Sequence, residues 1–310
     1  MTHTHDHPGH AGPADHPGHG NHQHDHDTDA GMDDLLDLDA EVLRGYWTAA
    51  LDWVRDAAAS ASPARLLDLG AGTGTGALGL AQRFPGATVT AVDISAEALR
   101  RLRGKAVGLG LDARITGVEA DLDAGWPALG PLDLTWASMS LHHLGDPGAA
   151  LRDVLAATRP GGLIAVAEFP EALRFLPADL GASEPDGQGD GDQGLGPAGF
   201  EDRVVTTLGA AHAEQMPTLG SAWAPRLADA GWNVIAERDF PINLDPPSHP
   251  RAPEYARAWF ARLSHGFGDQ LDPGDRETLA ALLGDGPRSL RHRTNLHIRG
   301  TRIVTLARRG

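Results

Sequence analysis

The stretch Leu66-Leu67-Asp68-Leu69-Gly70-Ala71-Gly72-Thr73-Gly74-Thr75-Gly76 constrains this chain more than any other. Apolar residues run into an acid, and glycines then occupy alternate positions before residues 77–83, which have helical character. A residue without Cβ adopts positive φ freely and lets another group approach the backbone. A strand that feeds such a loop into a helix N-terminus builds a site for a nucleotide-like ligand, because the first amides of the helix point at it. The loop alone leaves open which nucleotide. Asp68, two residues ahead of the first glycine, and the acids downstream narrow the choice.

Strand and helix patterns alternate from there. Residues 65–69, 88–92, 113–118, 132–137 and 163–167 read as strands, and 75–84, 95–108 and 147–158 as helices. Ser95 is the expected N-cap of the second of these helices. Arg159-Pro160-Gly161-Gly162 reads as a stop signal after the third. This alternation predicts an α/β fold, a parallel sheet with helices on both faces joined by right-handed crossovers. Upstream, residues 38–60 form an amphipathic helix pattern with Leu43, Tyr46, Trp47, Ala50, Leu51 and Val54 at helical spacing. Downstream, 176–197 is rich in Gly, Asp, Pro and Gln and reads as a mobile loop or lid. Beyond it, 200–216, 222–230, 253–267 and 275–283 read as helices, and 232–240 and 298–307 as strands.

Composition separates the leader from the rest. The 310-residue chain carries a formal net charge of −16, which argues against a nucleic-acid partner. Ten acids and no Lys or Arg lie between Met1 and Glu41, so most of that excess belongs to the N-terminal segment. Residues 1–31 hold nine histidines and almost no large apolar side chain, which predicts a disordered tail able to bind Zn²⁺, Ni²⁺ or Cu²⁺ loosely. No run of about 18 apolar residues is present and no basic-then-apolar leader, so no membrane partner and a cytoplasmic location are expected. The chain has no cysteine, hence no disulfide framework and no thiolate nucleophile.

From about Arg65 to Phe169 the pattern resembles the class I S-adenosylmethionine-dependent methyltransferases, small-molecule type. The carrying residues are Asp68-Leu69-Gly70-Ala71-Gly72-Thr73-Gly74, Asp93 closing the second strand, Asp121-Leu122 after the third, and Ser138-Met139-Ser140-Leu141-His142-His143-Leu144 after the fourth. The resemblance implies a Rossmann-like, doubly wound, seven-stranded sheet, mostly parallel with an antiparallel last strand, and helical insertions. It implies S-adenosyl-L-methionine as cofactor, with Asp68 at its ammonium group, Gly70, Ala71, Gly72 and Gly74 beneath its methionine part, and Asp93 at the ribose hydroxyls. Ile94 would lie on the adenine face, Asp121 and Leu122 at the adenine amino edge, and Ser138 beside the site. A carboxylate next to an ammonium forms a charge-assisted hydrogen bond, whereas it would be badly placed beside a pyrophosphate.

His143 and His142 are the candidate catalytic bases, because a neutral imidazole can take a proton from an attacking hydroxyl or amine. Positioning alone can suffice for an in-line displacement on a sulfonium, so packing roles stay open for both. Glu168, His212 and Glu214 are secondary candidates, Tyr46 and Trp47 candidate cover for the cofactor, and Arg251, Arg257, Arg291 and Arg293 candidate anion contacts or surface ion pairs. No Asn/Asp-Pro-Pro-Tyr/Phe motif follows the fourth strand, and the missing cysteine excludes covalent pyrimidine C5 chemistry. The expected function is methyl transfer to O, N or C of a small-molecule metabolite. The alternative is a metal-responsive nucleoside-binding protein that uses the tail and catalyses nothing. The expected organisation is a tail over 1–31 and one domain over 32–310, with a C-terminal helical insertion at about 241–297. That insertion is expected to form a substrate wall or a homodimer contact.

Overall fold

The computed structural model describes residues 23–177, 198–246 and 249–310, with side chains from Gly31 onward except 212–215. The first 22 residues of the histidine-rich tail, most of the Gly/Asp-rich stretch and the side chains of His212 and Glu214 lie outside the described residues.

Nine helices and seven strands are described: α1 Gln23–Val42, α2 Arg44–Ala58, β1 Arg65–Leu69, α3 Thr75–Arg83, β2 Thr88–Asp93, α4 Ala96–Gly108, β3 Ile115–Glu119, β4 Leu132–Ser138, α5 Pro147–Ala157, β5 Thr158–Glu168, α6 Phe200–Gln215, α7 Trp223–Asp229, β6 Asn233–Leu244, α8 Ala252–Phe267, α9 Pro273–Leu283 and β7 Ile298–Arg308. The strands form one sheet in the order β3-β2-β1-β4-β5-β7-β6. The first five run parallel, and β7 is antiparallel to both β5 and β6. Strand order reverses between β1 and β4, which opens a crevice outside their carboxyl ends where open α/β sheets take ligands.

The central strand shows why this sheet is covered on both faces. In Arg65–Leu69 the last four residues are all buried. Leu66 belongs to the core shared with α1, α2, α3 and α8, while Leu67 and Leu69 join the opposite core with Leu151 and Val154 of α5 and Trp223 and Leu227 of α7. Side chains alternate along a strand, so Asp68 falls on the face of Leu66, towards α1 and α2.

Three expectations need correction. The helix expected from 38 to 60 is two helices broken at Leu43, and the first begins at Gln23. Apolar spacing misses that start because α1 is held by tertiary contacts. Leu38 and Val42, one turn apart, are buried, and the acids of the helix pair with α4: Asp33 and Asp34 with Arg101, and Asp37 with Lys105. The helix does end at the Arg159–Gly162 stop signal, at Ala157, but the strand expected from 163 begins at Thr158. The backbone passes straight into β5, whose pairing with β4 shifts register between Leu132 and Leu134 to absorb it. Finally, β6 continues to Leu244, so the segment joining it to β7 starts after 244.

That segment supports the N-terminal helix. Tyr255 of α8 donates its hydroxyl hydrogen to Asp39 Oδ2 at 2.6 Å, and Arg251 pairs with Glu41. Below α8, Glu201 is buried and its carboxylate accepts the amides of Phe175 (2.6 Å) and Leu176 (3.2 Å). Burial pushes the Glu201 carboxyl up to about 7, those amides and the nearby arginines Arg299 and Arg174 opposing the shift. No helix among the described residues is long and apolar enough to cross a membrane.

Candidate functional site

The loop after β1 turns sharply because its backbone is tied to β2. Gly70 and Ala71 both donate their amides to Val92 O at 2.9 Å. Gly70 sits at φ +68°, and a Cβ there would come 2.2 Å from Ser140 Cβ, so both conformation and space demand glycine. Ser140, just past β4, donates its hydroxyl hydrogen to Leu69 O at 2.8 Å, which closes the loop against the end of β4.

Asp93 braces the other side. Its Oδ2 accepts the Gly72 amide at 2.7 Å and its Oδ1 accepts the Ser95 amide at 2.8 Å. Ser95 in turn caps α4 by accepting the Ala98 amide, as the sequence predicts. A carboxylate oxygen has two lone-pair directions, so each oxygen of Asp93 keeps one for a ligand.

These elements enclose a cavity of about 510 Å³ at the carboxyl ends of β1 and β4. Of the sequence-predicted residues, Asp68, Gly70, Ala71, Gly72, Asp93, Ile94, Asp121, Leu122, Ser138 and His143 all line it. Ile94 is 66% exposed, a large apolar side chain presented to a ligand rather than to the core. Asp121 is exposed and its Oδ1 accepts the Asp123 amide. Gly74 does not line the cavity; it is the N-cap of α3.

Asp68 has the most unusual surroundings. It is 2% exposed, and its Oδ2 finds no hydrogen-bond partner among the described residues. Burial pushes its carboxyl up to about 7; the Ala77 amide opposes the shift and the charge of Asp93 adds to it. A raised acid pKa means that the folded chain holds a proton the unfolded chain has released, so stability falls as pH rises between the unfolded and folded values. We therefore expect wild type to lose thermal stability relative to Asp68→Asn between about pH 4 and 7. Thermal melts of the two proteins across that range check it, and parallel curves would refute it.

The two histidines separate. His143 is exposed and lines the cavity, whereas His142 is buried, does not line it, and has Nδ1 2.7 Å from Glu168 Oε2. The pair is thus not a double base at one position. His142 faces inward because the short helical turn Leu141–His143 buries its first two residues against β5.

Sequence reasoning missed the wall supplied by α1. Met32, Asp33, Leu36 and Asp39 line the cavity, and Thr73 donates its hydroxyl hydrogen to Asp37 at 2.6 Å. The signal was present in Leu35 and Leu36, but they fall in the acid-rich stretch just ahead of the helix expected from 38. Of the arginines proposed as anion contacts, Arg251 is held by Glu254 and Glu41, and Arg293 is buried.

The profile of the methyltransferase domain family matches residues 66–162, the span that carries β1 to the start of β5. Residues 66–162 thus match a methyltransferase domain. The sheet order and the antiparallel β7 fit that domain, and the cavity is lined by it and by the two helices before it. The chain is 38% identical over 132 residues to a malonyl-[acyl-carrier protein] O-methyltransferase of Laribacter hongkongensis, covering 41% of this chain and 43% of that protein. It is 37% identical over 125 residues to a demethylmenaquinone methyltransferase of Thermus thermophilus, covering 39% and 56%. The chain thus spans about half the length of these relatives. The YcgJ protein of Bacillus subtilis matches as a structure with a TM-score of 0.47 and 15% identity, covering 84% of this chain and 98% of that one.

Proposed function

We propose that the cavity binds S-adenosylmethionine and that the chain transfers its methyl group to a small-molecule metabolite. The observation that carries this is Asp68 Oδ2, a buried carboxylate oxygen without a partner on the cavity wall. Buried orphan acceptors are rare and call for a missing donor. An ammonium group fits, since it supplies hydrogen bonds and a charge that favours the ionised carboxylate.

The remaining wall is consistent with the rest of that ligand. Asp93 keeps two acceptor directions for ribose hydroxyls, Ile94 offers an apolar face for a purine, and Asp121 with Leu122 stands at its edge. When bound, S-adenosylmethionine supplies a methyl group on a positively charged sulfur, activated for in-line displacement. The protein's work is to hold donor and acceptor in line and to keep water out. Among the described side chains, Trp47 of α2 and Leu36 of α1 form part of the cover over the cavity.

The name of one relative, a demethylmenaquinone methyltransferase, supports a small-molecule acceptor. Incubating the protein with methyl-labelled S-adenosylmethionine and a deproteinised cell extract tests the reading. Label is expected in small organic products, and transfer only to added protein or nucleic acid would contradict it.

A further inference from the structure

Next to the cavity lies a second group of polar side chains that the donor site does not use. Glu168 and Arg302 are each 4% exposed, and Tyr46 and Asp39 are buried as well. Contacts connect them in sequence. Glu168 meets His142 at 2.7 Å, Phe169 stacks edge-on to His142, and the Arg302 guanidinium lies 4.9 Å from the Phe169 ring. Arg302 also lies 3.6 Å from Asp39 Oδ2, and Asp39 accepts hydrogen bonds from Tyr255 Oη and Trp47 Nε1. The Tyr46 hydroxyl sits among these groups, beside the Ser138 hydroxyl and within electrostatic reach of Arg302, Asp39 and Glu168. Asp39 and Ser138 also line the donor cavity, so the group borders it.

Two buried atoms of this group, Glu168 Oε1 and Arg302 Nε, find no hydrogen-bond partner among the described residues, and the Tyr46 and Ser138 hydroxyls have only each other. One orphan in a fold is a curiosity, but a buried acceptor and a buried donor left open in one connected group imply a polar ligand group that completes them. We infer that this cluster is the acceptor subsite and that it takes a hydroxyl group, with Glu168 as the base. The inference rests on the donor reading above. A hydroxyl satisfies both orphans, donating to Glu168 Oε1 and accepting from Arg302 Nε. A carboxylate acceptor would meet Glu168 and Asp39 with only Arg302 to balance three negative charges.

The step balances without another reactant. The acceptor oxygen forms a bond to the methyl carbon, the carbon–sulfur bond breaks with its electron pair returning to sulfur, and the hydroxyl proton passes to Glu168 Oε1. His142 is a positioning residue that fixes the Glu168 carboxylate through Oε2.

The test combines product chemistry with donor affinity. With labelled S-adenosylmethionine and a metabolite extract, the label is expected in base-stable, uncharged ethers. Base-labile methyl esters, or basic products retained on a cation exchanger, would overturn the inference, as would no transfer by protein that binds the donor. Glu168→Gln is expected to lower transfer about 100-fold, in the range of general-base removal, with donor Kd within about threefold. Tyr46→Phe is expected to lower transfer about tenfold with little change in the thermal midpoint of the free protein, because its buried hydroxyl has only the Ser138 hydroxyl as a partner to lose. Full transfer by either variant would overturn the inference. Failure of wild type to bind the donor would instead remove the donor reading itself.

Discussion

Replacing Asp93 by alanine is expected to weaken S-adenosylmethionine binding by about 10²- to 10⁴-fold, measured by isothermal titration. Two charge-assisted hydrogen bonds to ribose hydroxyls are worth about 1.5–3 kcal/mol each, and each 1.4 kcal/mol is a factor of ten. The same change frees the amides of Gly72 and Ser95, which Asp93 holds at 2.7 and 2.8 Å, so the glycine loop also loses its brace. Asp93→Asn separates the two effects. It keeps one acceptor oxygen and loses one, and is expected to fall between wild type and alanine. Asp121→Asn, at an exposed carboxylate, is expected to cost about tenfold or less, the scale of one solvent-competed hydrogen bond. Equal losses at Asp93 and Asp121 would contradict the assignment of the ribose to the end of β2.

The second large effect is expected at Gly70. Alanine there must adopt φ +68° and place its Cβ 2.2 Å from Ser140 Cβ, well inside contact distance. The strained backbone costs about 1–2 kcal/mol, and displacement of the turn after β4 adds about 1–3 more. A thermal midpoint lower by about 5–10 °C is expected, with donor binding weakened as well. Gly70→Ala combined with Ser140→Gly relieves the overlap but not the backbone, so it is expected to recover part of the loss. A wild-type midpoint for Gly70→Ala would show that the loop is not packed against β4 as described.

These two positions also mark what a one-dimensional reading reaches. Asp68, Gly70 and Asp93 were legible because each is fixed by a strand end and a tight turn, features that lie within a few residues of one another. Alternation of strand and helix likewise carried the parallel part of the sheet. Helix α1 was less legible. Its stability comes from pairs such as Lys105 with Asp37 and Arg101 with Asp33, more than sixty residues apart, and from burial of Leu38 and Val42. Arg302 was invisible for the same reason. It sits on the last strand, opposite Phe240 in register, and reaches Asp39 and Phe169 only when the sheet forms. Adjacent histidines illustrate the remaining difficulty. No pattern in Leu141-His142-His143 says which ring will turn towards Glu168 and which will line the cavity; the short helical turn and the carboxylate behind it decide.

The central claim is that the cavity around Asp68 and Asp93 is a methyl-donor site. Calorimetric titration of the unmodified chain with S-adenosylmethionine tests it most directly. The account predicts a saturable, single-site heat, and release of a proton in the range up to about pH 7 as the donor's ammonium favours the ionised form of Asp68. Absence of any binding heat, or heat that persists unchanged in Asp93→Ala, would contradict it.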